Sequence, residues 1–271
     1  MIRALIIALL VVAALPISLA AQAPPAAPPA GPVPRTPDGK PDLNGFFQAD
    51  HGGANWGLEP HKEVFTGGGR GVIIDPPDGK LPYQPWAKAE KLDRTRPERG
   101  YDDPTAHCFV GGIPRSFYAP SPFHILQTPD SVVFLHERMA WRTVALNRHA
   151  HLPDTLRLWN GDSIGHWEGD TLVVETKNLN GKSWLNEVGD IISHGAQVVE
   201  RFTPVNASRI DYQATVTDPI VYTSPWTIAM PFNRQPGEML EVACLEDNQD
   251  LHHLKEVRDA ARAAAAKESG R

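Results

Sequence analysis

The sequence predicts an all-β protein whose strands form an antiparallel up-and-down barrel with long loops. Short runs rich in Val, Ile, Leu, Phe and Thr follow one another along the chain, and turn-forming residues separate them. Ile210–Val216 alternates apolar and polar residues without a break, as a half-buried strand does. Helical patterns are confined to two segments. Many sequential strands with few helices favour a barrel, and a two-sheet antiparallel sandwich is the alternative.

About ten strands are expected along the chain. The predicted strands are Phe46–Ala49, Gly71–Asp75, Phe123–Gln127, Ser131–Glu137, Trp141–Leu146, Ile164–Trp167, Thr171–Thr176, Gln197–Phe202, Ile210–Val216, Trp226–Met230 and Met239–Cys244. Thr128-Pro129-Asp130-Ser131 and Glu168-Gly169-Asp170 lie between such runs and predict hairpin turns. A short helix is predicted near residues 85–95, where Pro85 suits a first turn. A C-terminal helix is predicted near 250–268, which is rich in Ala, Lys and Arg and has little apolar face.

The start of the chain has the pattern of a secretory signal peptide over residues 1–20. Arg3 precedes an apolar run from Ala4 to Leu15, and small residues at Ser18 and Ala20 suit a cleavage site. This run would span about 18 Å as a helix, which is too short for a hydrocarbon core of roughly 30 Å. We therefore expect a periplasmic or secreted protein.

The remaining chain divides by composition into three parts. Residues 21–41 are rich in Pro and Ala and predict a disordered tether, because such a segment buries too little apolar surface to fold. Residues 42–250 predict a single barrel domain, and 251–271 a C-terminal helix or tail. The net charge of −6 and the lack of a basic cluster argue against nucleic acid, or a membrane after signal cleavage, as a partner.

The chain has two cysteines, Cys108 and Cys244. In an exported protein two such residues predict a disulfide, since the compartment is oxidising. Two separate buried thiols are the alternative. A disulfide between them would also compete with any role of Cys108 as a nucleophile.

Several sequence blocks resemble a large group of uncharacterised exported bacterial proteins. The blocks are RTPDGKPDLNG at 35–45, DPPDGKLPY at 75–83, GIPR at 112–115, QTP at 127–129, GDSIGHWEGDTLVVET at 161–176, ERF at 200–202, and residues 218–226. The resemblance implies a calycin-like barrel, a type that holds small ligands inside, and it implies no particular reaction. His149 departs from the group, which has a single histidine at the position of His151.

Two long segments, Asn147–Asp162 and Lys177–His194, carry the candidate site. Long polar connections with aromatic residues are more often functional than short turns, and we expect both at one barrel mouth. His151 is a candidate general base with Asp162 or Asp154 as its orienting carboxylate, because imidazole titrates near neutral pH. His194 is a second candidate base.

Four further residues complete the candidate site. Arg142 is expected to balance a negative charge, and Tyr222 to donate a proton. Trp159 and Trp184 offer flat apolar surfaces for a ring or a sugar face. For each histidine taken singly, a surface position or a structural hydrogen bond is the simpler interpretation, and for each tryptophan it is core packing.

A metal site is an alternative. His149 and His151 would point to the same side of an extended segment, and His166 or His194 with a carboxylate would complete a ligand set. Pairs of histidines two apart also arise by chance in a chain with 11 histidines. No Gly-x-Ser-x-Gly elbow, paired Cys-x-x-Cys or phosphate loop is present, and no cofactor is implied.

These features favour an exported enzyme that performs metal-independent acid/base chemistry on a small cyclic or sugar-like molecule. The step would be of the lyase, isomerase or hydrolase type. The alternatives are a non-catalytic periplasmic barrel that binds a small molecule, a metal-dependent enzyme and a structural envelope protein. Several titratable residues in the long loops favour the enzyme, because a carrier of apolar ligands does not need them.

Overall fold

The computed structural model describes residues 31–62, 68–100, 102–137 and 140–269. The predicted signal peptide at 1–20 and the first part of the predicted tether lie outside these ranges. Residues 31–41, the rest of that segment, lie against the barrel. Arg35 bridges to Pro41 within the segment, and its guanidinium forms an ion pair with Asp170 at 2.6 Å. The ordered domain therefore begins before residue 42.

The described residues form ten strands and few helices. The strands are β1 (Gly45–Ala49), β2 (Ile73–Asp75), β3 (Phe123–Gln127), β4 (Ser131–His136), β5 (Ala140–Ala145), β6 (Asp162–Glu168), β7 (Thr171–Lys177), β8 (Gln197–Asn206), β9 (Arg209–Thr217) and β10 (Trp226–Arg234). The α-helices are α1 (Pro85–Arg94), α2 (Arg115–Tyr118) and α3 (Asp250–Ser269), and short 3-10 turns cover Pro97–Arg99 and Pro104–His107. The predicted helices near 85–95 and 250–268 are confirmed.

The strands close into a barrel, as predicted. In the part of the chain that the structure describes, nine strands form the ring, because β1 pairs with both β3 and β10. Strand β2 lies outside the ring and pairs with the first residues of β10. The predicted hairpin turns join β3 to β4 and β6 to β7.

One strand pair departs from the predicted antiparallel order. β5 and β6 pair in parallel through Val144 with Ser163 and Ala145 with Ile164. A parallel pair requires a long crossover, and residues 146–161 supply it by running back along the outside of the barrel. The long polar segment that marks the candidate site is therefore the crossover that makes the sheet mixed.

The interior of the barrel is packed with aromatic side chains. Phe117 of α2 lies at its centre, with ring centroids 5.0–5.6 Å from those of six neighbours. These neighbours are Phe123, Phe134, His136, Phe202, Tyr212 and Phe232. A calycin-like ligand space inside the barrel, which the resemblance implies, is therefore not found among the described residues.

The predicted strand Met239–Cys244 is wrong, because these residues form an irregular segment. The run is apolar and short, but pairing of β1 with β10 closes the ring, so no barrel edge is left for another strand. A disulfide between Cys108 and Cys244 ties the segment to the loop before α2, with the Cα atoms 5.7 Å apart. The predicted disulfide is thus confirmed.

The connections that follow β1, β7 and β9 lie at one end of the barrel, which we call the loop end. The β4–β5 hairpin and helix α2 lie at the same end. None of the helices within the described ranges is long and apolar enough to cross a membrane. The loop end is where long connections surround the packed interior, and the candidate sites lie at this end or on the nearby outer wall.

Candidate functional site

A cavity of about 90 Å³ lies at the loop end beside helix α2. We call it the mouth cavity. It is lined by Asn55, Thr105, Cys108, Phe109, Gly111, Arg115, Ser116, Ala119, Pro120, Ser121, His136, Ala140, Glu187 and Cys244. The disulfide forms part of its wall, so the irregular C-terminal segment helps to shape the cavity.

His136 projects into this region because of strand alternation. It is the last residue of β4, and it faces inward like Val132 and Phe134. Only 6% of the residue is exposed. Neither ring nitrogen has a hydrogen-bond partner of good geometry in the part of the chain that the structure describes, although the Ser116 backbone lies close enough to act on the ring. A buried imidazole whose two nitrogens are both unbonded is unusual, since buried polar groups are nearly always paired.

The imidazole of His136 is neutral. Burial lowers its pKa to about 3, the charge of Arg142 lowers the pKa as well, and the Ser116 backbone raises it to a smaller extent. Its ring packs against Phe117 and Phe123, with centroids 5.1 and 5.6 Å away. The ring therefore presents one N–H donor and one bare nitrogen acceptor in a largely apolar setting.

The charged groups around the mouth cavity are held by hydrogen bonds. Arg115 donates two hydrogen bonds to Asp103, of 2.9 and 2.6 Å, and both side chains are at most 3% exposed. On another wall, the amide of Asn55 donates to Glu187 at 2.7 Å. Pairing of this kind makes buried charge tolerable, and the Arg115–Asp103 pair holds α2 in place.

The structure brings His151 and Asp162 together, as the sequence predicts. The His151 Nδ1 atom lies 2.8 Å from an Asp162 carboxylate oxygen. Its Nε2 atom lies 3.3 Å from Glu175, so both ring nitrogens face carboxylates. Asp154, the other predicted partner, is exposed.

The His151–Asp162 pair lies on the outer wall of the barrel under the crossover. Asp162 also accepts hydrogen bonds from Arg148, at 2.5 Å, and from the Leu152 amide, at 3.0 Å. Burial acts to raise the pKa of Asp162, but the hydrogen bonds from Arg148, Leu152 and His151 outweigh it and lower that pKa. These contacts fasten the crossover to the strand that it precedes.

The two long predicted segments meet, but not around one site. Leu158 and Leu179 form a parallel bridge between them. Arg157 donates to the carbonyl oxygen of His194 at 2.9 Å, while the His194 residue itself is exposed. The structure thus joins the segments by a backbone bridge and by Arg157, and no contact among the described residues joins the His194 ring to the His151–Asp162 pair.

Arg142 and Tyr222 are both committed to internal hydrogen bonds. The Arg142 guanidinium donates to Ser163 at 2.9 Å, to Thr176 at 2.7 Å and to Glu200. The Tyr222 hydroxyl donates to the Ile191 carbonyl at 2.6 Å. Burial, together with the nearby Asp190 charge, holds the pKa of Tyr222 well above its usual value.

The two predicted tryptophan platforms differ in exposure. Trp184 is only 6% exposed, and the Arg94 guanidinium lies 5.7 Å from its ring centroid. Trp159 stacks on Phe109, with centroids 4.8 Å apart. Trp159 also borders a shallow groove of about 480 Å³ between β5 and β6, where the exposed Trp141 forms another wall.

The described residues do not provide the ligand set that a metal site requires. Within those ranges, no three or more His, Cys, Asp or Glu side chains are grouped to hold a metal ion. His149 is exposed and His151 is turned to its carboxylates, while His166 lies near Glu168 on the surface. The two histidines of the predicted motif therefore do not act as a pair.

His136 was absent from the residues that the sequence singled out. The signal was available, because the alternation of Ser131–Glu137 places His136 on the same face as Val132 and Phe134. Comparison with known proteins adds no identification. No protein-family model matches the chain, and no curated protein matches it significantly.

Proposed function

We propose that this protein binds a small organic molecule in the mouth cavity, with His136 as the principal polar contact. The observation that carries the proposal is the buried imidazole of His136, which has no hydrogen-bond partner among the described residues. A buried donor or acceptor left unpaired costs about 1–3 kcal/mol of stability. A ligand that pairs with the imidazole would recover much of this cost.

The same geometry favours binding over acid/base catalysis at this position. A group with a pKa of about 3 is a weak base at neutral pH, because a good general base has a pKa near the working pH. A neutral imidazole is nevertheless a good hydrogen-bond partner. This supports a ligand-binding barrel, the alternative that the sequence left open.

Acid/base catalysis by His151 is the second candidate, favoured by the 2.8 Å contact between its ring and Asp162. The contact between Nε2 and Glu175 must open before His151 could accept a proton from a substrate. His151→Ala would abolish turnover of any substrate found, and His194→Ala would test the exposed second histidine. A substrate that both variants convert at the wild-type rate would exclude this candidate.

We place the proposed function outside the cytoplasm, in the periplasm or the medium. The signal-peptide pattern at 1–20 supports this location, and so does the Cys108–Cys244 disulfide. Mass spectrometry of protein recovered from the producing cells would test it. An N-terminus at Ala21 is expected, and cytoplasmic protein with residues 1–20 retained would contradict it.

Binding is tested by screening small organic fragments against the purified protein by thermal shift and ligand-observed NMR. His136→Leu removes both ring nitrogens, and His124→Leu is the matched control because His124 lies on β3 but does not line the cavity. We expect fragments that stabilise the wild type and the control but not His136→Leu. The proposal fails if no fragment binds, or if every hit binds His136→Leu equally well.

A further inference from the structure

We propose that the part of the ligand held in the mouth cavity is an uncharged hydroxyl group on a small apolar ring, as in a phenol or a cyclic alcohol. This inference rests on the proposed binding function and names the chemical class of its ligand. Three properties of the cavity carry it, namely the balance of charge, the donor and acceptor pattern of His136, and the size and polarity of the walls.

The charges around the mouth cavity favour an uncharged group on the ligand. Arg115, which lines the cavity with His136, and Arg142, whose charge acts on His136, are already paired with buried carboxylates. An anion would therefore enter a buried region whose cations are neutralised. A cation would approach a neutral imidazole close to those guanidinium groups, and the Glu187 carboxylate on the wall already accepts a hydrogen bond from Asn55 at 2.7 Å. A buried charge without a partner is strongly disfavoured, whereas an uncharged group avoids this cost.

The donor and acceptor positions of the His136 ring favour a ligand with a hydroxyl group. A neutral histidine has one N–H donor and one bare nitrogen, and either nitrogen can carry the proton. A hydroxyl both donates and accepts, so it can pair with His136 in either tautomer. An ether or a carbonyl can only accept a hydrogen bond. At a given ring nitrogen it can therefore pair only in the tautomer in which that nitrogen carries the proton.

The walls offer apolar surface to a body of limited size, beside the polar side chains of the same lining. Phe109, Ala119, Pro120 and Ala140 line the cavity together with the disulfide, and His136 itself is held between aromatic rings. The volume of about 90 Å³ is smaller than the roughly 150 Å³ of an engineered cavity that binds benzene. The cavity has an opening, so a single ring can insert its hydroxyl-bearing edge while the rest remains outside.

The test compares four ring compounds of similar size: phenol, toluene, benzoate and benzylammonium. Binding to the full protein is measured by titration calorimetry and by saturation-transfer NMR. We expect phenol to bind about tenfold more tightly than toluene, because one hydrogen bond to a buried group has about that effect. Benzoate and benzylammonium should bind more weakly than phenol.

Variants at His136 test whether the imidazole causes the preference for phenol over toluene. In His136→Leu we expect toluene to bind at least as tightly as phenol, while His124→Leu should keep the wild-type order. His136→Phe serves as a second variant with the same expected loss of the phenol preference. A charged probe that binds most tightly, or a phenol preference that survives in both His136 variants, would overturn the inference.

The two proposals fail in distinguishable ways. If other fragments bind through His136 but phenol has no advantage over toluene, the ligand class is wrong and the binding function stands. If neither the ring compounds nor the fragment library binds the wild type, the binding function itself is wrong.

Discussion

Arg142 and Glu200 form an ion pair in the interior of the barrel, where each η-nitrogen of the guanidinium donates to one carboxylate oxygen. The Nη1–Oε1 distance is 3.0 Å, and the two residues are 3% and 0% exposed. Tyr212 adds a hydrogen bond to the carboxylate at 2.9 Å. The arginine that the sequence assigned to a substrate charge is thus bound to a glutamate three strands further along the chain.

Glu200→Gln should lower the free energy of unfolding by about 3–5 kcal/mol, because it leaves the Arg142 charge buried and uncompensated. The measurement is equilibrium unfolding in urea. Glu168→Gln is the matched control, since Glu168 is exposed and accepts a hydrogen bond from Arg201 at 2.8 Å. That variant should cost about 1 kcal/mol or less. Equal losses of unfolding free energy in the two variants would show that the buried ion pair contributes no more to stability than an exposed one.

Asp162 should make stability depend on pH at acid values. Its folded-state pKa is lowered, so its contribution is fully present above the unfolded value of about 4 and is lost as the pH falls through the folded value. At neutral pH, Asp162→Asn should cost about 1–3 kcal/mol. Unfolding curves from pH 7 downward should show this difference shrinking below about pH 4.

Asp154→Asn is the control for that experiment. Asp154 lies in the same crossover but is exposed, so its replacement should change stability by less than about 0.5 kcal/mol. A cost of Asp162→Asn that stays constant down to pH 2 would contradict the role given to the carboxylate.

Reduction of the Cys108–Cys244 disulfide should destabilise the protein and weaken binding in the mouth cavity. The bridge closes a loop with a sequence separation of 136, for which the chain-entropy model gives an upper value of about 5 kcal/mol. Unfolding with and without reductant measures the loss of stability. The double variant Cys108→Ser with Cys244→Ser should show the same loss and no response to reductant. Unchanged ligand affinity in that variant would show that the bridge does not shape the cavity.

Phe117→Ala should cost about 3–5 kcal/mol, because it removes a ring at the centre of the packed interior. Phe109→Ala provides the comparison, since Phe109 is 53% exposed and stacks on Trp159 alone among the described aromatic pairs. We expect it to cost about 1 kcal/mol. Similar denaturation midpoints for the two variants would contradict a central packing role for Phe117 in the barrel interior.

The positions of most strands were predictable because side-chain alternation and turn residues act locally. β3 has the bounds that its sequence predicts, and β9 extends the predicted strand by one residue at each end. β8 runs to Asn206, beyond the predicted Phe202, and includes Pro204 beside an irregularity in the pairing. A proline usually ends a strand because it lacks an N–H donor, and such an irregularity is where a sheet tolerates it.

The candidate site was only partly predictable from local patterns. The contact between His151 and Asp162 was expected, since both residues lie in one short segment. The second carboxylate at His151 belongs to β7, and nothing in the crossover sequence indicates that Glu175 faces it. Its presence depends on the pairing of β6 with β7, which places Glu175 next to Ile164 across the ladder.

The sequence by itself determined most of the strands, the two hairpin turns, the helices near 85–95 and 250–268 and the cysteine pair, because periodicity, turn chemistry and residue type are properties of short stretches. The tertiary structure alone decided which polar groups have hydrogen-bond or ion-pair partners. Arg142 meets Glu200 and Arg115 meets Asp103, whereas His136 meets no partner among the described residues. Alternation tells which face of a strand a side chain occupies, but the closed barrel decides what lies opposite. For that reason the mouth cavity, and the lack of a partner for its imidazole among the described residues, become visible only in the folded chain.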